Sequence, residues 1–316
     1  MRLATFLLAG QPRAAVVASD QTLVPISELV PGAPADMVEI VSAGPTLWDR
    51  LRAASTSARG GRSLREVTLA APVPRPHRNV MCVGWNYSEH FAEGQGMRGP
   101  NDSPQEIPEY PALFSKQPNT VVGPEQPVWH PAPVSEQLDW EVELAVIIGI
   151  PGRDIPQEQA YEHVFGYTIG NDVSVRDVQR RHGGQWYKGK GFDSHCPLGP
   201  WIVTPDELGD PHNLHITLRV NGVTKQDSST RFMVFRLPRI IHEFSLGVRL
   251  EPADVILTGT PEGVGFARKP PEFLKVGDVM EAEIEKIGVL RNAVAKYEPS
   301  ESSNASGVAP AHAEVR

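Results

Sequence analysis

The stretch from Leu138 to Gly149, LDWEVELAVIIG, decides how the fold of this chain is interpreted. It carries carboxylates at alternate positions, Asp139, Glu141 and Glu143, and then runs into an aliphatic segment that predicts a buried strand. Because side chains alternate along a strand, the three carboxylates share one face. A solvated edge strand would also present an acidic face, but like charges repel, and carboxylates that enter a core need a cation or a pairing partner. The stretch therefore directs attention to a buried ionic site.

Composition limits the classes of protein that this chain can be. It has 316 residues, of which 40% are hydrophobic and 22% charged, and its net charge is −8. These values predict a globular protein that binds neither nucleic acid nor an anionic membrane. Cys82 and Cys196 are far apart in the sequence, so they form no disulfide framework and no zinc ligand set, and a reduced, cytoplasmic location is expected. The chain contains no apolar run of the ~18 residues that a membrane helix needs.

The pattern of short strands and turns predicts the domain organisation. Residues 1–75 are expected to form a small N-terminal α/β domain, with a helix over Thr46–Ala54. Residues 76–298 form a strand-rich body with few helices, and the polar, Ala/Pro-rich residues 299–316 are expected to be a disordered tail. The 30 prolines and 28 glycines suit many short strands and loops. The fold class is therefore mostly β (α+β), a roll or sandwich with a few helices.

A second carboxylate signal follows the acidic stretch. The segment GYTIGNDVS predicts a strand that ends at Asp172, with Ser174 as the N-cap of the next helix. Glu141 and Glu143 from one strand, with Asp172 from another, make an all-oxygen ligand set. Such a set suits Mg²⁺ or Mn²⁺, with Ca²⁺ as a further candidate. Zinc is disfavoured because it prefers histidine and cysteine ligands.

An acid–base pair is predicted just after the strand VMCV. The segment GWNYSEHFAE places His90 and Glu93 three residues apart, which makes them neighbours on a helical turn. A carboxylate beside an imidazole orients it and raises its basicity, as a general base requires. An ordinary surface His–Glu pair is the alternative. The Gly- and Pro-rich segment 94–111 that follows is a candidate lid.

Two further segments could contact an anion. QWYKGKGFD holds Lys188 and Lys190 in a glycine-rich setting, and the residues alone do not distinguish between the two lysines. LTGTPEGVG predicts a strand that runs into a tight turn, where Thr260 and the backbone amides could hold a carboxylate, although it could also be only a turn. No GK[ST] follows this turn, so it is not a nucleotide-binding loop.

Six segments, taken together and in this order, resemble the fumarylacetoacetate hydrolase family. The resemblance covers roughly residues 79–297, and it implies a β-rich roll or sandwich around a metal, usually in a homodimer. The chain departs from the family pattern at Gly191, where serine is commoner. The segments are GWNYSEHFAE, YPALFSK, LDWEVELAVIIG, GYTIGNDVSVRDVQ, KGKGFDSHCPLGP and LTGTPEGVG.

The resemblance also assigns roles to residues, one position at a time. Lys190 matches the family's catalytic lysine better than Lys188 does, and Asp139 is left without a ligand role. The roles it implies are metal ligation by Glu141, Glu143 and Asp172, water activation by His90 and Glu93, catalysis by Lys190, and substrate binding by Arg176, Gln179 and Thr260.

The resemblance implies an enzyme that acts on small 2-oxo or β-diketo acids. We expect Mg²⁺-dependent hydrolysis of the C–C bond of an acylpyruvate such as fumarylpyruvate, with release of a pyruvate-type product. His90, held by Glu93, would take a proton from water, and Lys190 would stabilise the oxyanion. The same site could instead decarboxylate a 2-oxo acid or interconvert keto and enol forms, with oxaloacetate or 2-hydroxyhepta-2,4-diene-1,7-dioate as substrate. A non-catalytic metal-binding protein is a remote alternative.

Overall fold

The structure is a computed structural model that describes residues 1–95 and 106–297. The predicted tail, 299–316, and residues 96–105 of the predicted lid lie outside these described residues. The described strands are Arg2–Leu8 (β1), Gln11–Val17 (β2), Thr22–Pro25 (β3), Arg62–Ser63 (β4), Leu69–Ala70 (β5), Val80–Gly84 (β6), Ala112–Lys116 (β7), Val121–Val122 (β8), Val128–His130 (β9), Leu138–Asp139 (β10), Val142–Ile148 (β11), Val164–Asn171 (β12), Ser174–Val175 (β13), Cys196–Val203 (β14), His215–Val220 (β15), Val223–Ser229 (β16), Val255–Leu257 (β17), Val279–Ile284 (β18) and Gly288–Lys296 (β19).

Helices are short and few among the described residues, which confirms the predicted mostly-β fold class. Within those ranges no helix is long and apolar enough to cross a membrane. The α-helices are Ile26–Leu29 (α1), Met37–Ser42 (α2), Pro45–Ser55 (α3), Ser88–Glu93 (α4), Arg176–Arg181 (α5), Tyr187–Lys190 (α6), Pro205–Leu208 (α7) and Leu237–Ser245 (α8). Short 3₁₀ helices occupy Pro118–Thr120, Gln157–His163, Thr230–Phe232 and Gly265–Ala267.

Most of the strands join one large sheet, whose main path runs β4-β3-β2-β1-β14-β12-β11-β17-β6-β7. Strand β1 pairs with β14, with Leu3 opposite Ile202, so the N-terminal strands extend the sheet of the body. The division of the chain into domains at residue 75 stays a prediction. A second sheet has the order β16-β15-β18-β19-β9.

Strand β11 is buried along its whole length because apolar layers cover both of its faces. Leu144 and Val146 pack into the core shared with the second sheet, whereas Ala145 and Ile147 pack into the core on the opposite face. This explains why the strand reads as an unbroken aliphatic run instead of an alternating one. Burying one side chain of this size contributes roughly 1.5–3 kcal/mol. The run therefore holds the start of β11 firmly in place.

The topology brings the ends of four strands together at one end of the large sheet. Strands β12 and β17 are both antiparallel to β11, so the start of β11 lies beside their ends, with Val142 opposite Asn171. Strand β6 is parallel to β17 and terminates at this end as well, with Cys82 opposite Leu257. The segments that follow β6, β12 and β17 are those that the sequence identified as candidate site segments. They converge here because of strand order.

One local prediction is wrong. Ser174 is not the N-cap of α5, because it forms the short strand β13 with Val175, and its hydroxyl donates to the Asp172 carbonyl at 2.8 Å. Val175 is the residue that precedes the helix. The chain pairs with β10 at this point, and that strand pairing replaces the expected cap.

Candidate active site

Three buried carboxylates meet at this end of the sheet, where β11 begins and β12 ends. Glu141, Glu143 and Asp172 each present an oxygen atom, and these oxygens lie within 4.8 Å of one another. Glu141 immediately precedes β11, Glu143 lies within it, and Asp172 immediately follows β12. The Asp172 backbone N–H donates to the Glu141 carbonyl at 2.8 Å, and the Glu141 N–H donates to the Asn171 side chain at 2.9 Å. The pairing of two strands therefore places all three carboxylates.

The electrostatic environment differs between the two glutamates. Burial, followed by repulsion from Asp172 and Glu141, raises the pKa of Glu143 well above its ordinary value. Its carboxylate accepts a hydrogen bond from the Gly259 N–H at 2.6 Å. Burial acts in the same direction on Glu141, but the nearby Lys190 and Arg176 outweigh it and lower the pKa of that carboxyl. Glu143 is therefore the carboxylate that the protein's own cations compensate least.

Lysine and arginine side chains bind the cluster from two sides. Lys190 Nζ donates to Glu141 at 2.7 Å and to Asp172 at 2.6 Å. Arg176 Nη1 lies 2.6 Å from Glu141 Oε1. Although burial opposes its protonation, these carboxylates raise the pKa of Lys190. Lys190 is thus held as an ammonium group at the centre of the site, whereas Lys188 is exposed, with its Nζ 5.1 Å from the ring of Phe192.

Sequence reasoning missed a second buried ammonium group. Lys116, the last residue of β7, is fully buried, and its Nζ donates to Asp172 Oδ1 at 2.6 Å and to the Val173 carbonyl at 3.0 Å. It lies within the family segment YPALFSK, but nothing local distinguishes it from a surface lysine at the end of a strand. Its position depends on the pairing of β7 with β6 and on Asp172, which follows β12 and lies 56 residues later in the chain.

Asp139 differs in its contacts from Glu141 and Glu143, the other two carboxylates of the alternating stretch. It is fully buried, and its carboxylate accepts from Arg176 Nε at 2.7 Å. It also accepts from the backbone N–H groups of Gly265 at 2.7 Å and Phe266 at 3.0 Å. With these partners, Asp139 orients Arg176 and ties down the turn after β17, and it is not a member of the carboxylate cluster.

The predicted acid–base pair is present beside the cluster. His90 Nδ1 lies 2.8 Å from Glu93 Oε1, and the carboxylate can only accept, so Nδ1 carries the proton and Nε2 is the basic nitrogen. Glu93 is itself fixed by the Gly263 N–H, which donates to its other oxygen at 2.8 Å. His90 is buried and lines the same cleft as Glu141. The geometry is that of an oriented imidazole base.

The three predicted substrate-binding residues, Arg176, Gln179 and Thr260, also line this cleft. They differ in which of their polar atoms already form hydrogen bonds within the protein. Gln179 Oε1 accepts from Arg176 Nη1 at 3.2 Å. The Thr260 hydroxyl donates its one proton to the Val142 carbonyl at 3.0 Å and accepts from Gln226 at 2.8 Å. A substrate contact by Thr260 would therefore use the remaining acceptor lone pair of the hydroxyl, its methyl group or its backbone.

Aromatic side chains form one wall of the cleft. Trp186 packs edge-on against Trp85 and Phe114, with ring centroids 4.8 and 5.1 Å apart. A Cβ at Gly84 would lie 2.3 Å from the Trp186 ring, so glycine is needed there for the ring to pack. A Cβ at Gly191 would lie 2.7 Å from the Tyr187 backbone oxygen and 2.1 Å from the Gln117 side-chain oxygen, so glycine fits here without a backbone shift.

The donor set fits a divalent cation. Three carboxylates within one buried site repel one another, and Glu143 lacks a cationic side chain at hydrogen-bonding distance among the described residues. Oxygen-only ligands in this number suit hard cations such as Mg²⁺, Mn²⁺ and Ca²⁺. The site also offers an anion a surrounding of ammonium and guanidinium groups. The arrangement of charges is compatible with a cation and an acidic small molecule in the same site.

The chain belongs to the fumarylacetoacetate hydrolase family. Residues 79–295 match the family model described as fumarylacetoacetate (FAA) hydrolase C-terminal. This match confirms the resemblance seen in the six sequence segments, and the family defines the protein as an enzyme.

Two relatives bring the comparison closer to an activity. The chain is 44% identical over 272 residues to a mitochondrial oxaloacetate tautomerase, Fahd2a, of Rattus norvegicus, covering 86% of this chain and 83% of the relative. It is 44% identical over 232 residues to the oxaloacetate tautomerase YisK of Bacillus subtilis, covering 73% of this chain and 74% of the relative.

Solved structures show the same fold. A fumarylacetoacetate hydrolase from Exiguobacterium antarcticum aligns with a TM-score of 0.79 and 38% identity over 94% of this chain and 100% of that chain. A maleylpyruvate hydrolase from Sphingobium sp. SYK-6, in complex with manganese(II) and pyruvate, aligns with a TM-score of 0.76 and 31% identity over 94% of this chain and 100% of that chain. A divalent cation in this fold therefore has a direct precedent.

Two sequence predictions remain open after these comparisons. The rat relative is named as mitochondrial, which does not fit a plainly cytoplasmic location, whereas the name of the Bacillus relative includes no compartment. Assembly as a homodimer is likewise a prediction, which sedimentation of the purified protein would check.

Proposed function

We propose that this protein is a divalent-metal-dependent keto–enol tautomerase that acts on oxaloacetate or a closely similar 2-oxo dicarboxylic acid. The observation that carries the proposal is that His90, oriented by Glu93, lines the same cleft as Glu141 and Glu143, two members of the cluster with Asp172. The two relatives named as oxaloacetate tautomerases support it over the C–C hydrolysis that the sequence favoured.

The chemistry of tautomerisation needs fewer parts than hydrolysis. The keto and enol forms differ only in the position of one proton, which moves between C3 and the oxygen on C2. A base that can carry a proton between these two atoms, and a positively charged environment for the enolate, are sufficient. Hydrolysis additionally requires a water held between the base and a distal carbonyl. Tautomerisation therefore needs only a base and a positive charge, and His90 and Lys190 are candidates for these two roles.

The residues divide this work among themselves. In the keto-to-enol direction His90 Nε2 would take the proton from C3, and the resulting imidazolium would deliver it to the C2 oxygen; ketonisation runs the same two transfers in reverse, with Glu93 fixing the ring through Nδ1. Lys190, which is buried and cationic, would donate a hydrogen bond to the C2 oxygen as negative charge develops there. The aromatic wall with Trp186 would exclude water from the reacting carbons. Each group acts within hydrogen-bonding reach of the cluster or lines the same cleft.

Glu141, Glu143 and Asp172 would hold the divalent cation, and Mg²⁺ is the metal we propose, with Mn²⁺ as the substitute. When bound there, such an ion supplies Lewis-acid polarisation of the 2-oxo group. The remaining chemistry belongs to the side chains described above.

A second candidate function is the hydrolysis of an acylpyruvate. The similarity to a maleylpyruvate hydrolase and the presence of an oriented His90–Glu93 pair favour it. In this reaction the same imidazole would deprotonate a water, as the sequence led us to expect. The two candidates therefore share a site and differ in whether a water enters it.

One assay distinguishes the two functions. The enol form of oxaloacetate is added to the purified protein with Mg²⁺ or Mn²⁺ in a weakly catalytic buffer, and the loss of enol absorbance is followed. Parallel reactions contain fumarylpyruvate, and a separate measurement follows release of CO₂ from oxaloacetate. We expect faster ketonisation of oxaloacetate that disappears with EDTA, without comparable cleavage or decarboxylation. Cleavage of fumarylpyruvate without an effect on oxaloacetate would overturn the proposal in favour of hydrolysis.

A further inference from the structure

One glutamine of the second sheet reaches across to the candidate active site. Gln226 lies in β16 and is only 1% exposed. Its side-chain oxygen accepts from the Val142 N–H at 3.0 Å, and its nitrogen donates to the Thr260 hydroxyl and the Pro261 carbonyl, both at 2.8 Å. A backbone N–H can only donate and a carbonyl can only accept, so these partners fix the orientation of the amide. Gln226 therefore links β11 to the turn after β17.

A β-bulge in β16 immediately precedes this side chain. In the pairing of β15 with β16, Leu218 lies opposite Gln226, but the next residue, Arg219, lies opposite Thr224. Lys225 is therefore the extra residue of the bulge. Bulges re-aim the side chains beside them and are common next to active sites. Regular alternation is thus interrupted just before Gln226, whose side chain is buried against the large sheet.

The hydrogen bonds of Gln226 close a ring around Val142, the residue between Glu141 and Glu143. The Val142 N–H donates to Gln226, and the Val142 carbonyl accepts from the Thr260 hydroxyl at 3.0 Å. That hydroxyl in turn accepts from Gln226, which completes the ring. Both carboxylates project from residues that are bonded directly to Val142. The ring therefore restrains the backbone from which two members of the acidic cluster extend.

The same part of β16 supports the acid–base pair. Gly263, whose N–H donates to Glu93 at 2.8 Å, passes so close to β16 that a Cβ would lie 2.2 Å from the Lys225 carbonyl oxygen. Its φ of +98° also favours glycine. Gln226 bonds the same turn two residues earlier. The turn that orients Glu93, and through it His90, is therefore fixed by Gln226 and by the backbone beside it.

We infer that Gln226 is a positioning residue that holds two parts of the site in place relative to each other, the carboxylates that would bind the cation and the imidazole that would act as the base. The inference rests on the proposed function for the roles of these two parts. Gln226 is not among the described residues that line the cleft, so it acts through Val142 and the turn after β17. It lies outside all six family segments, and sequence analysis therefore missed it.

The test compares Gln226 with a second buried carboxamide, Asn292. Asn292 is also 1% exposed, and its nitrogen donates to the backbone carbonyls of Gly123 and Gln126, both at 2.9 Å. None of these three residues is among the described residues that line the cleft. Gln226→Met and Asn292→Leu remove the amide and keep roughly its volume. Gln226→Glu is a milder variant, because it keeps an oxygen for the Val142 N–H, and Asn292→Asp is its control.

Three quantities are measured for each variant: Mn²⁺ affinity by calorimetry, melting temperature by circular dichroism, and kcat and KM for ketonisation at saturating Mn²⁺. We expect Gln226→Met to weaken Mn²⁺ binding about tenfold and to lower kcat about tenfold or more, since residues that orient metal ligands contribute about 10–100-fold. KM should change less, because the cations that would hold the substrate stay in place. Gln226→Glu should show smaller losses of the same kind. Both Asn292 variants should melt at a lower temperature but keep wild-type Mn²⁺ affinity and kcat.

Two results would overturn the inference. One is a folded Gln226 variant with wild-type Mn²⁺ affinity and kcat, and the other is an equal loss of both in the Asn292 variants, which would reduce the effect to stability. If Gln226→Met does not fold, Gln226→Glu gives the same comparison. If the wild-type protein binds Mn²⁺ but does not accelerate ketonisation, the proposed function fails on its own. The Mn²⁺ affinities of the variants then still decide the role of Gln226.

Discussion

The chain contains the same three-residue pattern, Glu-x-Glu, in two strands with opposite outcomes. In the stretch WEVEL, Glu141 and Glu143 are 4% and 1% exposed and belong to the acidic cluster. In the stretch MEAEI of β18, the side chains of Glu281 and Glu283 are 31% and 44% exposed. Within residues 1–95 and 106–297 the ion pairs of the second pair are with Arg219, at nitrogen–oxygen distances of 3.5 and 2.9 Å. Alternation alone therefore does not identify a metal-binding strand.

The two strands differ in how completely other residues bury their two faces. Strand β11 has apolar cores on both faces and paired strands on both edges, so its glutamates lose their water on folding. Strand β18 packs Ala282 and Ile284 inward and leaves its other face partly solvated. A partly exposed ion pair contributes about 0–1 kcal/mol, whereas each buried ion costs several kcal/mol unless partners compensate it. Such a cost indicates that the buried pair has a function.

The largest effect should come from removing one charge of the buried Glu-x-Glu pair. Glu143→Gln should weaken Mn²⁺ binding by more than about 100-fold, since even residues that only orient metal ligands contribute 10–100-fold. Tautomerase activity should fall to background. The metal-free protein should melt about 2 °C or more higher, because the change removes the carboxylate that repels its neighbours. Calorimetry, the enol assay and thermal melts measure the three quantities.

Glu283→Gln is the matched control, since it changes the same residue type at the same place in the pattern. It should leave Mn²⁺ affinity, activity and melting temperature close to wild type. If Glu143→Gln and Glu283→Gln changed Mn²⁺ affinity and activity equally, burial would not explain the difference between the two strands.

A second contrast concerns two histidine–carboxylate pairs. His90 pairs with Glu93 at 2.8 Å in the cleft, whereas His215 pairs with Asp227 at 2.6 Å on the surface. His90→Ala should lower kcat roughly 10²–10⁴-fold, which is the usual contribution of a general base, and Mn²⁺ affinity should be kept. His215→Ala should change neither quantity. Full activity of His90→Ala with bound Mn²⁺ would show that the imidazole is not the base.

The third contrast concerns the cations that pair with these carboxylates. Lys116→Met removes one of the two buried ammonium groups that bond Asp172 and leaves Lys190 as the other, so it should cost up to about 3–5 kcal/mol of unfolding free energy and weaken Mn²⁺ binding about 10–100-fold. Arg219→Met on the surface should cost less than about 1 kcal/mol. Urea denaturation and calorimetry would measure both. A Lys116→Met protein with wild-type stability would show that the buried pair is dispensable.

The smallest predicted effect concerns pH. His195 is fully buried, and burial lowers its pKa to about 3. The unfolded chain therefore binds a proton there below pH 6.5 that the folded protein refuses, so stability falls as the pH drops from 6.5 towards 3. His195→Gln, which can still donate to the Trp129 carbonyl, should lessen this loss by up to about 1.4 kcal/mol per pH unit.

The control for this pH effect is His215→Gln, because His215 is exposed. Denaturation at pH 7, 6 and 5 would compare the slopes of the two variants with wild type. If the dependence of unfolding free energy on pH is the same for His195→Gln as for wild type, the buried imidazole does not cause the loss of stability at low pH.

The candidate site was largely visible in the sequence because its parts follow local rules. The alternation of Glu141 and Glu143 and the turn spacing of His90 and Glu93 are short-range patterns. Lys116 was not visible, since a lysine at the end of a strand is usually solvated. The expected cap at Ser174 failed for a related reason, because pairing with a distant strand overrode a local preference.

The sequence by itself determined the mostly-β class and which residue types could form a site, since these depend on composition and on spacings of two to four residues, and the order of six segments identified the family by resemblance. The tertiary structure decided that Asp172 arrives beside Glu141, that Asp139 serves Arg176, and that Glu281 and Glu283 face solvent. Those outcomes depend on strand register and on what covers each face. Both are set by contacts between residues far apart in the chain, which no local pattern records.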